Sequence, residues 1–137
     1  MGKINFFRKN YIKAREFIST ITYSDFTRYA EAKLIECRIL YEEKLISELL
    51  ANIETVYKYL NSHKEIGSDF KESYSSFLKY LKKLSELYEK DRSNSEINFE
   101  INELEKIIED RKSMLYGKSW LDEKINELKK AGFKPAL

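Results

Sequence analysis

"DFTRYAEAKLIECRILYEEKLISELLANIETVYKYL", Asp25 to Leu60, is the stretch whose reading decides the fold. It holds neither glycine nor proline, and its apolar residues recur at intervals of three and four, which stacks them along one side of a helix. Two adjacent stripes result. One contains Leu34, Cys37, Tyr41, Leu45, Leu49, Val56 and Leu60; the other contains Ile35, Ile39, Ile46, Leu50, Ile53 and Tyr57. So wide an apolar arc needs cover from two sides, and the segment is expected to be a long central helix. As a straight rod of about 36 residues it would reach roughly 54 Å, against a diameter of ~37 Å for a compact chain of this length. The expectation is therefore either a kink, placed around Glu42 and Glu43, or an elongated molecule whose protruding apolar end meets a second subunit.

Upstream, Ile4, Phe7, Tyr11, Ala14 and Ile18 align on one face of an N-terminal helix that would cover the central one. Downstream, Gly67 suits a left-handed cap, and Asp69 with Glu72 has capping-box spacing. A third helix carries Phe70, Tyr74, Phe77, Leu81, Leu84 and Tyr88, and a fourth carries Ile97, Ile101, Leu104, Ile108, Arg111 and Leu115. Both follow the heptad spacing of a helical hairpin, interrupted only by Arg111. The short polar turn between them, with Ser93 and Glu96 as a second capping box, favours antiparallel neighbours. A fifth helix spans about Trp120 to Ala131, with Gly132 as its cap, Phe133 against Leu128 and Pro135 as its stop. No segment alternates at period two for long enough to make a strand. The fold class is thus all-α: a single domain, residues 1–137, built as an elongated bundle of about five helices with a long central helix and an antiparallel hairpin of the third and fourth.

Several chemistries are excluded by what the chain lacks. Cys37 stands alone, which rules out a disulfide framework or a cysteine zinc site and suits a reducing, cytoplasmic compartment. No apolar run approaches the roughly 18 to 20 residues of a membrane span, and the start lacks a signal-peptide core. His63 is the sole histidine and has Leu60 three residues before it, so the paired Glu-x-x-His motifs of a di-metal bundle are missing. Gly117-Lys118-Ser119 copies the tail of a phosphate-binding loop, but that loop needs a glycine where Lys112 stands. The expected reading is a corner: Gly117 caps the fourth helix, Ser119 opens the fifth, and Trp120 wedges the angle. No catalytic residue, metal ligand or cofactor is expected, and the chain is read as non-enzymatic.

Two binding modes remain. The net charge of +2 conceals a gradient, because residues 1–20 carry five basic side chains and one acidic, whereas residues 93–117 carry three basic and six acidic. Lys3, Arg8, Lys9, Lys13 and Arg15 lie beside Phe6 and Phe17, a mixture that could neutralise phosphates and stack bases. On a helical wheel, however, Arg8 and Arg15 flank the apolar stripe while Lys9 and Lys13 lie far round it, so the charge is not one stripe. A nucleic-acid-associated subunit is therefore the alternative. The main expectation is protein association, since ten tyrosines and eight phenylalanines exceed what the core needs, and Tyr23, Tyr29, Tyr59 and Tyr80 fall off the seams. The chain is read as an adaptor or accessory subunit with an unidentified protein partner, forming a homodimer that shares part of the central helix or the hairpin.

Overall fold

The computed structural model describes residues 26–90 and 95–133, the last three as backbone only. These residues form five helices and no strand: α1 Phe26–Glu42, α2 Ile46–Ser62, α3 Ser68–Glu89, α4 Ser95–Glu109 and α5 Lys118–Phe133. The all-α expectation holds. The chain divides into two compact units, Met1–Lys71 and Glu72–Leu137. No helix among the described residues is long and apolar enough to cross a membrane.

In the first unit the expected long central helix is two helices. The break falls at the position marked for a kink, but it is a full reversal. Lys44 takes a left-handed backbone with φ 60°, its N–H bonds the Tyr41 carbonyl, and the Leu45 N–H bonds the Leu40 carbonyl, both at 2.9 Å. Those two bonds make a Schellman cap, a motif usually built on glycine. A lysine at that position costs about 1 kcal/mol of strain, partly offset where its ammonium lies 4.0 Å from the Tyr41 ring centre. α2 then packs back along α1. Cys37 meets Asn52, Tyr29 meets Tyr59 and Phe26 meets His63, so partner numbers fall as their counterparts climb, which is antiparallel order. Each 17-residue half is about 25 Å long, and the length that raised the elongated alternative disappears.

The reversal also explains the two stripes. In α2 the buried residues Ile46, Leu49, Ile53, Val56 and Leu60 form a single seam at 3-4-3-4 spacing, drawn from both expected stripes. Leu45 is exposed, because the turn resets the helical phase there. α1 is buried without interruption from Cys37 to Tyr41. Gly67 is not left-handed as expected; its carbonyl accepts from the Lys71 N–H at 2.9 Å, which places it at the start of α3 and puts Asp69 inside the first turn.

The second unit holds α3 from Glu72 onward, α4 and α5. Tyr74, Phe77, Leu81 and Leu84 of the expected seam are buried, joined by Leu78 and Leu87, whereas Phe70 at the far end is exposed. The α4 seam of Ile97, Ile101, Leu104 and Ile108 is buried in full. Glu72 lies near Arg111 and Lys83 near Glu100, so α3 and α4 run antiparallel, as the hairpin expectation required. α4 is shorter than the heptad suggested. It ends at Glu109, and Arg111 and Leu115 lie in an irregular linker, Leu115 still buried. Gly117 is left-handed, φ 68°, but it stands at the opening of α5, where its carbonyl accepts from the Leu121 N–H; Ser119 is an exposed residue within the helix and not its cap. α5 continues through Gly132 to Phe133, past the expected cap.

Candidate functional site

α4 presents two faces of opposite use. Its seam is buried, yet about 130° round the helix, at 100° per residue, Glu96, Phe99, Glu103, Ile107 and Asp110 fall within an arc of about 80°. Phe99 is 63% and Ile107 51% exposed. Phe and Ile are among the side chains most often buried, and here two of them share an exposed helix face with three exposed carboxylates. Asp110 follows the helix directly, its N–H bonded to the Lys106 carbonyl at 2.8 Å, so the row keeps helical phase to its end.

Lysines from neighbouring segments pair with α4 on the two sides of its buried seam. Glu100 meets Lys83 of α3 at 2.8 Å and Lys90, just past the end of α3, at 3.6 Å, and Glu105 meets Lys129 of α5 at 2.7 Å. Lys83 first, then Lys90, hold the Glu100 carboxyl below its ordinary range. Glu103 lies between Phe99 and Ile107 along the row and is exposed. A shallow groove lined by Lys83, Glu100, Glu103, Leu104 and Ile107 runs beside it.

The linker after α4 is fixed by polar and aromatic contacts to α3. Arg111, the interruption of the heptad, donates from Nη1 to Ser76 Oγ at 3.0 Å and from Nη2 to the Met114 carbonyl at 3.3 Å, and it pairs with Glu72. Ser73 Oγ accepts from the Tyr116 N–H at 2.7 Å. Tyr116 sits edge-on to Tyr74 and Phe77, and the Trp120 ring centre packs 6.0 Å from that of Phe77. Met114, 84% exposed, is carried outward on this linker.

Arg111, with Ser76 second, holds the Glu72 carboxyl below its usual range. A carboxyl with a depressed folded value stabilises the chain above its unfolded value of about 4.3 and loses that contribution as pH falls through the folded one. Urea unfolding of wild type and Glu72→Gln is therefore expected to differ at pH 7 and to converge on acidification below about pH 4. A difference that persists at acid pH would mean the pair contributes through packing instead of charge.

The expected site residues are distributed as follows. Lys3, Arg8, Lys9, Lys13, Arg15 and Tyr23 lie outside the described residues. Tyr29 and Tyr59 are half-buried and pack on each other with ring centres 4.8 Å apart, and Tyr59 stacks on His63 at 4.0 Å. His63 Nδ1 lies 2.8 Å from the Tyr59 carbonyl, so as a donor it caps the end of α2. Tyr80 is half-buried, and its hydroxyl adds to the support of Arg111 after Glu72. Cys37 is fully buried, accepts from Asn52 Nδ2 at 3.2 Å, and burial pushes its thiol up to about 12, where thiolate chemistry is absent at neutral pH. Lys112, at the place a phosphate loop requires glycine, is in the linker and not on a helix. Among the described residues no group of three or more His, Cys, Asp or Glu side chains could hold a metal ion.

Phe99 and Ile107 were not singled out by the sequence reading. Their signal was available: both are large, apolar and off the 97-101-104-108 seam. Compared with protein-family models, curated proteins and solved structures, the chain matches none of them.

Proposed function

We propose that this is a non-enzymatic helical-bundle protein that acts through protein association, as an adaptor or accessory subunit in a reducing intracellular compartment, with the α4 row as its contact surface. One observation carries the reading: Phe99 and Ile107 are exposed on a helix whose ion pairs to both neighbours fix its orientation within its unit. Two large exposed apolar side chains with carboxylates between them offer the mixed apolar and polar chemistry of a protein contact. Its occupant loses little entropy on the receiving side, because the row is already ordered.

Sedimentation velocity across a concentration series tests this. Wild type is expected to associate, and a Phe99→Asp, Ile107→Asp chain is expected to stay monomeric with unchanged helix content, since neither side chain supports the core. Unchanged association in the variant would remove the α4 row as the surface. The nucleic-acid alternative is decided by fluorescence anisotropy with single-stranded and duplex DNA and RNA at about 50 and 200 mM salt, where phosphate contacts must weaken steeply. Micromolar binding that collapses with salt would replace the proposal with the alternative.

A further inference from the structure

We infer that the turn between α1 and α2 is a hinge through which two copies of this chain exchange α1, each α1 packing on the α2 of the other copy. Lys44 carries the inference. It is the described non-glycine residue with a left-handed backbone, φ 60°, in a reversal so short that the Leu45 N–H already bonds the Leu40 carbonyl. That conformation is unfavourable for any residue with a Cβ. Glu42, Glu43 and Lys44 are moreover good helix formers, with neither glycine nor proline among them, so local preference opposes the reversal. Short hinges under strain favour exchange: opening relieves the strain, and the second copy restores the contacts that opening removes.

The pairing across the hairpin allows this without a change of register. Cys37 meets Asn52, Tyr29 meets Tyr59 and Phe26 meets His63. Each pair is centred at residues 44 to 45, which is the hinge itself. A two-fold axis placed there carries all three pairs from within one chain to between two, and the assembly closes with no free end. Leu45, an apolar side chain left 39% exposed in the single chain, stands where the two hinges meet. Because monomer and exchanged dimer share one core, substitutions in the seam harm both, and the hinge alone discriminates them. Exchange requires α1 to leave α2, so it is slow and occurs on refolding, whereas contact through the α4 row joins chains already folded.

The test uses the full chain carrying Phe99→Asp and Ile107→Asp, which removes the α4 contact, with Lys44, Lys44→Ala or Lys44→Gly at the hinge. Lys44 is exposed, and circular dichroism checks that each chain is folded. Each is unfolded in urea, refolded at high and at low protein concentration, and sized by light scattering after size exclusion. A dimer of twice the 16.4 kDa chain mass is expected at high concentration. Its association constant is expected to be larger for Lys44→Ala than for Lys44→Gly by roughly 25-fold, because each dimer releases two left-handed hinges. Wild-type Lys44 is expected between them, since its ammonium on the Tyr41 ring helps to hold the turn closed. Tyr29→Cys with Tyr59→Cys, bridged after folding by a short bis-maleimide, identifies the dimer; Cys37 is fully buried and takes no part. An exchanged dimer is joined chain to chain on a denaturing gel, while a dimer held by any other surface is bridged only within each chain. Bridging within chains alone, equal association of the alanine and glycine chains, or no dimer from the alanine chain would each overturn the inference. Every chain used lacks the α4 contact, so these outcomes bear on the hinge and leave the α4 row to its own sedimentation test.

Discussion

A Leu49→Glu chain is expected to lose the cooperative thermal transition of its first unit. Leu49 is 0% exposed and sits mid-seam between Ile46 and Ile53 on α2. Removing its buried isobutyl group forfeits about 2 kcal/mol of transfer free energy, and a carboxylate in the same place adds several kcal/mol unless it stays protonated. Together these approach the whole stability of a domain this size, roughly 5 to 15 kcal/mol. Were the central helix shared between two copies, the same substitution would instead split the dimer. With α2 folded back on α1, Leu49 belongs to an intramolecular core, and unfolding is the expected result. Circular dichroism melts decide it, with Glu48→Leu as the control, since Glu48 is exposed on the adjacent position. A buried carboxyl has a raised value in the folded state, so the folded chain binds more protons and stability rises as pH falls. Partial recovery of the transition below about pH 5 is expected; a chain equally folded at pH 7 would show that Leu49 is not core.

How much was legible follows from the range of the interactions concerned. Seams are local, and Tyr74, Phe77, Leu81 and Leu84 of α3 and Ile97, Ile101, Leu104 and Ile108 of α4 were read from spacing alone. The reversal at Lys44 was not, because the usual glycine of a Schellman cap is missing and the apolar residues on either side keep a helical step. Only the length of the segment, too great for a compact chain, signalled that something must bend. The end of α4 was missed for a related reason: Arg111 and Leu115 continue the heptad numerically after the helix has stopped. That Arg111 broke the pattern was visible, but its partners were not, since Glu72 and Ser76 are 39 and 35 residues distant. Tyr29 and Tyr59 looked like surface residues on one long helix and became neighbours once the helix folded back. Phe99 and Ile107 show the opposite case, a signal present in the sequence but outweighed by the stronger seam on the same helix.

Replacing Gly117 by alanine is expected to cost about 3 kcal/mol, from two sources that a second substitution can separate. The backbone there is left-handed, φ 68°, which charges an alanine about 1 kcal/mol. A Cβ at this position would also lie 2.7 Å from Phe77 Cε1 and 2.9 Å from Cδ1, closer than carbon atoms approach, so the ring must move. Phe77 cannot move freely: it is 0% exposed, with Tyr116 edge-on and Trp120 beside it. Overpacking of that kind costs a further 1 to 3 kcal/mol or so. The expected fall in Tm is about 10 °C for a chain of this size. Phe77→Leu alone is expected to destabilise by leaving space where the ring was, but combined with Gly117→Ala it should cost less than the two losses together, because the methyl then fills part of that space. A double variant whose loss equals the simple addition would show that backbone strain alone demands glycine here. A combined loss smaller by 1 kcal/mol or so would show that the closeness of Gly117 to Phe77, and not backbone conformation alone, demands glycine here.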